Sequence, residues 1–71
     1  MLTYRLDTRV NGISTYLFFP EGKELFGKVV FDSFGEVLEV VDAENDVKRM
    51  YAVHAIHGID ISRNEGIVAW C

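Results

Sequence analysis

Apolar and polar residues alternate along the first segment of the chain. The apolar positions are Leu2, Tyr4, Leu6 and Val10, and the residues between them are polar. A period of two is typical of a half-buried β-strand. Asn11 and Gly12 follow, the pair that most easily adopts the positive φ angles of a type I′ turn, and a second alternating run begins at Ile13. The alternation and the turn together predict an N-terminal β-hairpin.

The two-residue turn also predicts the register of this hairpin. Counting outward from the turn places Leu6 opposite Leu17 and Tyr4 opposite Phe19. One face then becomes almost wholly apolar, and we expect it to lie in the core. Its members are Tyr4, Leu6, Val10, Ile13, Leu17 and Phe19. The opposite face carries Arg5, Arg9, Tyr16 and Phe18.

A second hairpin is predicted after Pro20, which ends the second strand because it has no amide proton to donate. Residues 28–32 and 37–41 are rich in valine, a residue enriched in strands. Ser33 and Glu36 have the spacing of a helix capping box, so residues 36–42 could instead begin a helix. The β-branched valines favour the strand over this helix.

One long helix is predicted in the second half of the chain, with Asp42 as its N-cap and Gly58 at its end. Lys48 and Arg49 lie in its first two turns. Residues 59–61 and 67–70 then predict two short strands that form a C-terminal hairpin. The predicted order is β-β-β-β-α-β-β, an α+β fold in which a small antiparallel sheet packs one face against the helix.

Size, charge and cysteine content narrow the class of protein. The chain has 71 residues, and we expect one domain over 1–71 because two cores would each be too small to fold. Its net charge of −4 disfavours general attraction to nucleic acid or to an anionic membrane. Cys71 is the single cysteine, which excludes an intramolecular disulfide and favours a reducing cytoplasm. No segment resembles a membrane span or a signal peptide, so we expect a cytoplasmic protein.

His54, His57 and Asp60 form the one cluster of plausible metal ligands in the sequence. On a helix that reaches Gly58, the two histidines share a face at a spacing that a metal ion accepts. Asp60, however, lies beyond the predicted helix end, and Cys71 is the only further ligand. Histidines near a helix C-terminus are also favoured by the helix dipole, and proton-linked switching is a further alternative. We predict neither a metal nor a cofactor.

Motifs for catalysis are missing from the sequence. The serines lack the Gly-x-Ser-x-Gly context of a nucleophile elbow, and the six glycines are scattered among turns rather than gathered in a phosphate-binding loop. We therefore expect no enzymatic activity.

The polar face of the predicted hairpin is the strongest candidate for function. Two arginines interleave there with two aromatic residues, the composition of an interface hot spot or of a stacking platform for single-stranded nucleic acid. Ordinary cross-strand packing on a solvated face is the competing interpretation. The interface candidates are Arg5, Arg9, Tyr16, Phe18 and, if it is exposed, Trp70. We predict a small non-enzymatic protein that acts by stoichiometric contact with a protein partner or a second copy, with nucleic-acid binding as the alternative.

Overall fold

The turn at Asn11 and Gly12 joins the first two strands in a computed structural model that describes residues 1–44, 46 and 49–70. The elements are β1 (Leu2–Val10), β2 (Ile13–Pro20), β3 (Gly27–Phe31), β4 (Val37–Val41), α1 (Met50–Gly58) and β5 (Glu65–Val68). The strands form one antiparallel sheet in the order β4-β3-β2-β1-β5. The predicted α+β fold class is therefore confirmed, with one strand fewer than expected.

The predicted hairpin turn is present. Asn11 and Gly12 both have positive φ angles, 53° and 80°, and Val10 pairs with Ile13. Positive φ at both central positions is the requirement of a type I′ turn, and Asn followed by Gly meets it with little strain.

The predicted register fails beyond this turn because β1 contains a bulge at Asp7. Thr8 pairs with Thr15, but the next pair joins Leu6 to Tyr16, so Asp7 has no partner on β2. One extra residue moves every following side chain to the other face relative to a regular ladder. Leu6 consequently lies opposite Tyr16 instead of Leu17, and the predicted pairing of Tyr4 with Phe19 is wrong.

The core lies between α1 and one face of the sheet, and the bulge at Asp7 determines which residues of β1 and β2 lie on that face. Its largest buried side chains are Leu2, Tyr4, Tyr16, Phe18, Val29 and Phe31, which pack with Ala52, Ala55 and Ile59. The rings of Tyr4 and Phe31 each meet the Tyr16 ring edge to face, at centroid distances of 5.8 and 5.9 Å. Close packing extends to Gly27, where a Cβ would clash with the Phe18 ring.

Four of the six predicted core residues of the hairpin lie elsewhere. Tyr4 is buried and Leu6 packs against the core as predicted. Val10 and Ile13 are exposed near the turn, whereas Leu17 and Phe19 are half-buried on the opposite face of the sheet. The bulge at Asp7 explains the inversion of Leu17 and Phe19 relative to β1.

Residues 37–41 form a strand, so the alternative helix that a capping box at Ser33 and Glu36 would begin does not occur. Instead, the carboxylate of Asp32 accepts hydrogen bonds from the amides of Phe34 and Glu36, both at 2.9 Å. This arrangement closes the turn between β3 and β4.

The helix begins later than predicted. Asp42 is not its N-cap, because α1 starts at Met50 and Asp42 binds the guanidinium of Arg49 at 2.9 Å. The carboxylate of Asp46 instead accepts hydrogen bonds from the amides of Tyr51 and Ala52, both at 3.0 Å. Lys48, predicted in the first turns, lies outside the described residues. The end of the helix at Gly58 is confirmed.

The predicted C-terminal hairpin is absent. Ile59 is buried against the core, and residues 60–64 form a loop in which the Asp60 carboxylate accepts hydrogen bonds from the amide and hydroxyl of Ser62. The strand expected at 67–70 is observed as β5, and its partner is β1 rather than residues 59–61. Strand β5 can pair there because β2 occupies only one edge of β1.

Candidate interaction surface

One face of the sheet is covered by α1, and the other carries no further element of the described chain. The pairing places Thr3 between Phe19 and Ile67, and Arg5 beside Leu17, with all five side chains pointing away from the helix. Phe26, just before β3, packs against Phe19 with ring centroids 5.8 Å apart. We call this surface the open face, and its members are Thr3, Arg5, Leu17, Phe19, Phe26 and Ile67.

Arg5 and Phe19 form the centre of the open face. The Cζ atom of Arg5 lies 5.4 Å from the centroid of the Phe19 ring, within the range of a cation–π contact. The apolar side chains at its margins remain accessible, since Phe26 is 53% exposed and Ile67 is 68% exposed. An arginine held over an aromatic ring is thus flanked by apolar side chains in contact with water.

The basic groups on this side of the sheet each lie near an acidic group. Glu65 is directly opposite Arg5 in the register of β1 and β5. The Nζ atom of Lys28 lies 3.8 Å from the carboxylate of Glu39 on the neighbouring strand. The open face therefore presents balanced charge rather than the positive field that attracts a phosphate backbone.

A shallow depression lies between β1 and β5 at the border of the open face. Its volume is about 660 Å³. Its lining residues are Thr3, Tyr4, Phe19, Arg63, Glu65, Gly66 and Ile67. The depression adds a concave region beside Phe19 in which a partner side chain could be received.

Two of the predicted interface residues, Tyr16 and Phe18, are not on the surface. Both side chains are fully buried between the sheet and the helix. Their predicted placement on the same face as Arg5 is wrong, because the bulge puts them on the face that α1 covers. Burial raises the pKa of the Tyr16 hydroxyl, although the neighbouring Arg9 opposes the change.

Arg9 is also turned to the helix side, where it binds within the protein. Its guanidinium donates to the hydroxyls of Ser14 and Tyr16 at 2.9 and 3.0 Å, and to the carbonyl of Ile61 at 2.8 Å. The Tyr16 hydroxyl in turn donates to the carbonyl of Arg63 at 2.6 Å. These bonds attach the loop over residues 59–64 to the hairpin, so Arg9 and Tyr16 have a structural role here.

Trp70 packs against the helix rather than on the open face. Its ring stacks on His54, with centroids 3.8 Å apart and planes 7° apart, and its edge meets Tyr51 at 5.6 Å. His57 is exposed on the same helix. Across residues 1–44, 46 and 49–70, no three histidine, cysteine, aspartate or glutamate side chains gather as a metal ion would require. Cys71, the suggested further ligand, lies outside the described residues.

Of the five predicted interface residues, Arg5 is therefore the one that lies on the open face. The expectation that arginine meets an aromatic residue on this hairpin holds for Arg5, but its partner is Phe19, which the predicted register places in the core. Phe26 was missed because it lies in a connection without alternation. Ile67 lies in a predicted strand, but no local pattern indicates that this strand pairs with β1.

No helix within the described residues is long and apolar enough to cross a membrane. The fold and the open face define a small α+β protein with a sheet covered on one side. In comparisons with models of protein families, with curated proteins and with solved structures, the chain matches none.

Proposed function

We propose that this is a non-enzymatic cytoplasmic protein that acts by stoichiometric contact with another protein through the open face. The observation that carries the proposal is the Arg5 guanidinium over the Phe19 ring, bordered by the exposed side chains of Phe26 and Ile67. Aromatic residues and arginine are enriched where interfaces concentrate their binding energy. Apolar side chains grouped on one face are more typical of a contact surface than of a solvated one.

The ordering of these side chains supports the same proposal. Arg5 and Phe19 already lie on paired strands, so binding would immobilise few additional rotamers, and less conformational entropy would be lost on association. The depression beside Phe19 offers a receiving site for one apolar side chain of the partner.

Nucleic-acid binding remains the alternative. The Arg5 and Phe19 pair resembles a base-stacking arrangement, but Glu65 and Glu39 lie beside the basic groups of this face. Binding to single strands that weakens steeply with added salt would favour this alternative over a protein partner.

Site-specific photocrosslinking in the source cell tests the proposal. Phe26 is replaced by p-benzoylphenylalanine, and Val53, which is 47% exposed on α1, receives the same probe as a matched control. We expect a discrete protein adduct from position 26 that the Arg5→Ala substitution reduces, and no such adduct from position 53. Equal adducts from both positions, or adducts with nucleic acid alone, would refute contact with a protein through the open face.

A further inference from the structure

The strand β4 forms one edge of the sheet, away from the centre of the open face. Its inner side pairs with β3, and no strand among the described residues pairs with its outer side. No backbone hydrogen bond from a turn or loop of the described chain reaches residues 37–41 either. Unpaired edge groups of this kind are able to receive an additional strand.

Exposed apolar side chains follow this edge. Phe34, in the turn before the strand, is 89% exposed, and Leu38 is 55% exposed. Val37 and Val41 are exposed as well. Leu38 is the extra residue of a bulge, because Val30 pairs with Glu39 and Phe31 with Val37. We call Phe34, Val37, Leu38 and Val41 the β4 edge.

The exposure of Phe34 has a defined structural origin. The Asp32 carboxylate holds the amide of Phe34 at 2.9 Å, and the amide of Gly35 donates to the carbonyl of Asp32 at 3.1 Å. Gly35 has a φ angle of 84°, which the turn requires and which glycine adopts readily. A hydrogen-bonded turn therefore presents the Phe34 ring to solvent.

The chain segment that carries the β4 edge is acidic, although two of its carboxylates pair with basic residues of neighbouring segments, Glu39 with Lys28 and Asp42 with Arg49. Residues 32–46 contain six acidic residues and no basic residue. Asp32 and Asp46 are engaged in the turn and at the start of α1. The side chain of Glu36 is exposed, and among the described residues none forms an ion pair or a hydrogen bond with it. The edge thus combines apolar contact sites with negative charge.

We propose that the β4 edge binds an extended segment of a partner protein as a sixth strand, and that lysine or arginine alternates with apolar residues in that segment. Main-chain hydrogen bonds would hold the strand, the apolar side chains would meet the exposed residues of the edge, and the basic ones would lie near the carboxylate of Glu36. Pairing between two copies is disfavoured, because it would bring two acidic segments together. Val41 lies on the same side of the sheet as the open face, because it pairs with Lys28, but no member of the open face belongs to the β4 edge. Each of the two proposals can therefore fail without the other.

A labelled synthetic peptide in which lysine and valine alternate is the probe for this site. The matched control is the same peptide with alternate backbone amides methylated, which keeps the charge but removes main-chain donors. We expect saturable binding to the full chain, and binding at least about tenfold weaker for the methylated peptide, since several hydrogen bonds are lost. Equal binding of the two peptides would show that charge attraction alone causes binding, which would overturn the proposal.

Substitutions locate the binding on the protein. Phe34→Ala combined with Leu38→Ala, and Glu36→Gln alone, should each weaken binding, because they remove exposed contacts and charge. Val53→Ala on α1 and Phe26→Ala on the open face are the controls, and thermal melting shows that every variant is folded. Amide shifts on peptide addition should be concentrated over residues 34–42. Equal weakening by the control variants, shifts centred elsewhere, or no saturation up to about 1 mM peptide would overturn the proposal.

Discussion

The Arg9 guanidinium donates a hydrogen bond to the hydroxyl of Tyr16 at 3.0 Å, and that hydroxyl donates to the carbonyl of Arg63. A tyrosine in the sheet core thus joins the first hairpin to the loop before β5. The same arginine reaches the carbonyl of Ile61, so two carbonyls of the loop depend on this pair. Residues that alternation assigns to a binding surface instead stabilise the connection between α1 and β5.

Tyr16→Phe tests this connection. The substitution keeps the buried ring but removes the hydroxyl, which leaves the Arg63 carbonyl and one guanidinium donor without their partner. We expect the free energy of unfolding, measured by urea denaturation, to fall by about 1–3 kcal/mol, because two partly buried hydrogen bonds are lost at roughly 0.5–1.5 kcal/mol each. Faster amide hydrogen exchange over residues 59–64 should accompany the loss.

Tyr51→Phe is the control for this substitution. The Tyr51 hydroxyl donates to the exposed carboxylate of Glu21 at 2.8 Å, where water can replace it. We expect a smaller loss of stability, below about 1 kcal/mol. Comparable losses for the two variants would contradict a special role for the Tyr16 hydroxyl.

The start of α1 gives a second prediction. Asp46→Ala removes the acceptor for the amides of Tyr51 and Ala52, and we expect it to reduce the free energy of unfolding by about 0.5–2 kcal/mol. Asp42→Ala removes an exposed pair with Arg49 and should cost less than about 1 kcal/mol. Chemical denaturation of both variants checks the order. A larger loss for Asp42→Ala would instead support a helix that begins near residue 42.

Local features of the fold could be predicted from the sequence. Asn11 and Gly12 determine the turn through their own backbone preferences. Gly58 is the last residue of α1 as predicted, but what it provides there is room for the side chain of Val68. The bulge at Asp7 could not be predicted in this way, because it depends on which face of the hairpin packs best against α1. Pairing of β5 with β1 joins residues that lie 60 or more positions apart and leaves no local pattern. The bulge brings Leu17 and Phe19 to the open face, and the pairing of β5 brings Ile67 there. Phe26 lies in a connection without alternation, so no periodic pattern indicates it either.

The carboxyl group of Asp60, in the loop before β5, has a titration that can be measured. Hydrogen bonds from the hydroxyl and amide of Ser62 lower the pKa of Asp60 below its ordinary value of 3.8. A carboxyl whose pKa is lower in the folded state stabilises the fold above its unfolded pKa, and this contribution is lost as the pH falls through the folded pKa. The stability that the ionised Asp60 carboxylate contributes should therefore be lost only in acid, below about pH 4.

Ser62→Ala tests the cause of this shift. Removing the hydroxyl should raise the pKa of Asp60 toward its ordinary value, as followed by the carboxyl carbon chemical shift during an NMR titration. Ser33→Ala, in the turn before β4, is the control and should leave the titration of Asp60 unchanged. An unchanged pKa in the Ser62 variant would mean that the backbone amide alone holds the carboxylate.

Deletion of Asp7 tests how the bulge determines the two faces of the sheet. Thr8 pairs with Thr15 and Leu6 with Tyr16, so a chain without Asp7 makes these pairs consecutive in a regular ladder. We expect the deletion variant to fold with the same core and to lose only about 1 kcal/mol of stability. Deleting Arg5 is the matched control, because the shift would turn Leu6 or Tyr4 away from the core. Amide spectra and thermal melting show whether each deletion variant is folded. We expect a dispersed spectrum for the variant without Asp7 and loss of dispersion for the variant without Arg5. Loss of dispersion in the variant without Asp7 would show that the bulge itself is required for folding.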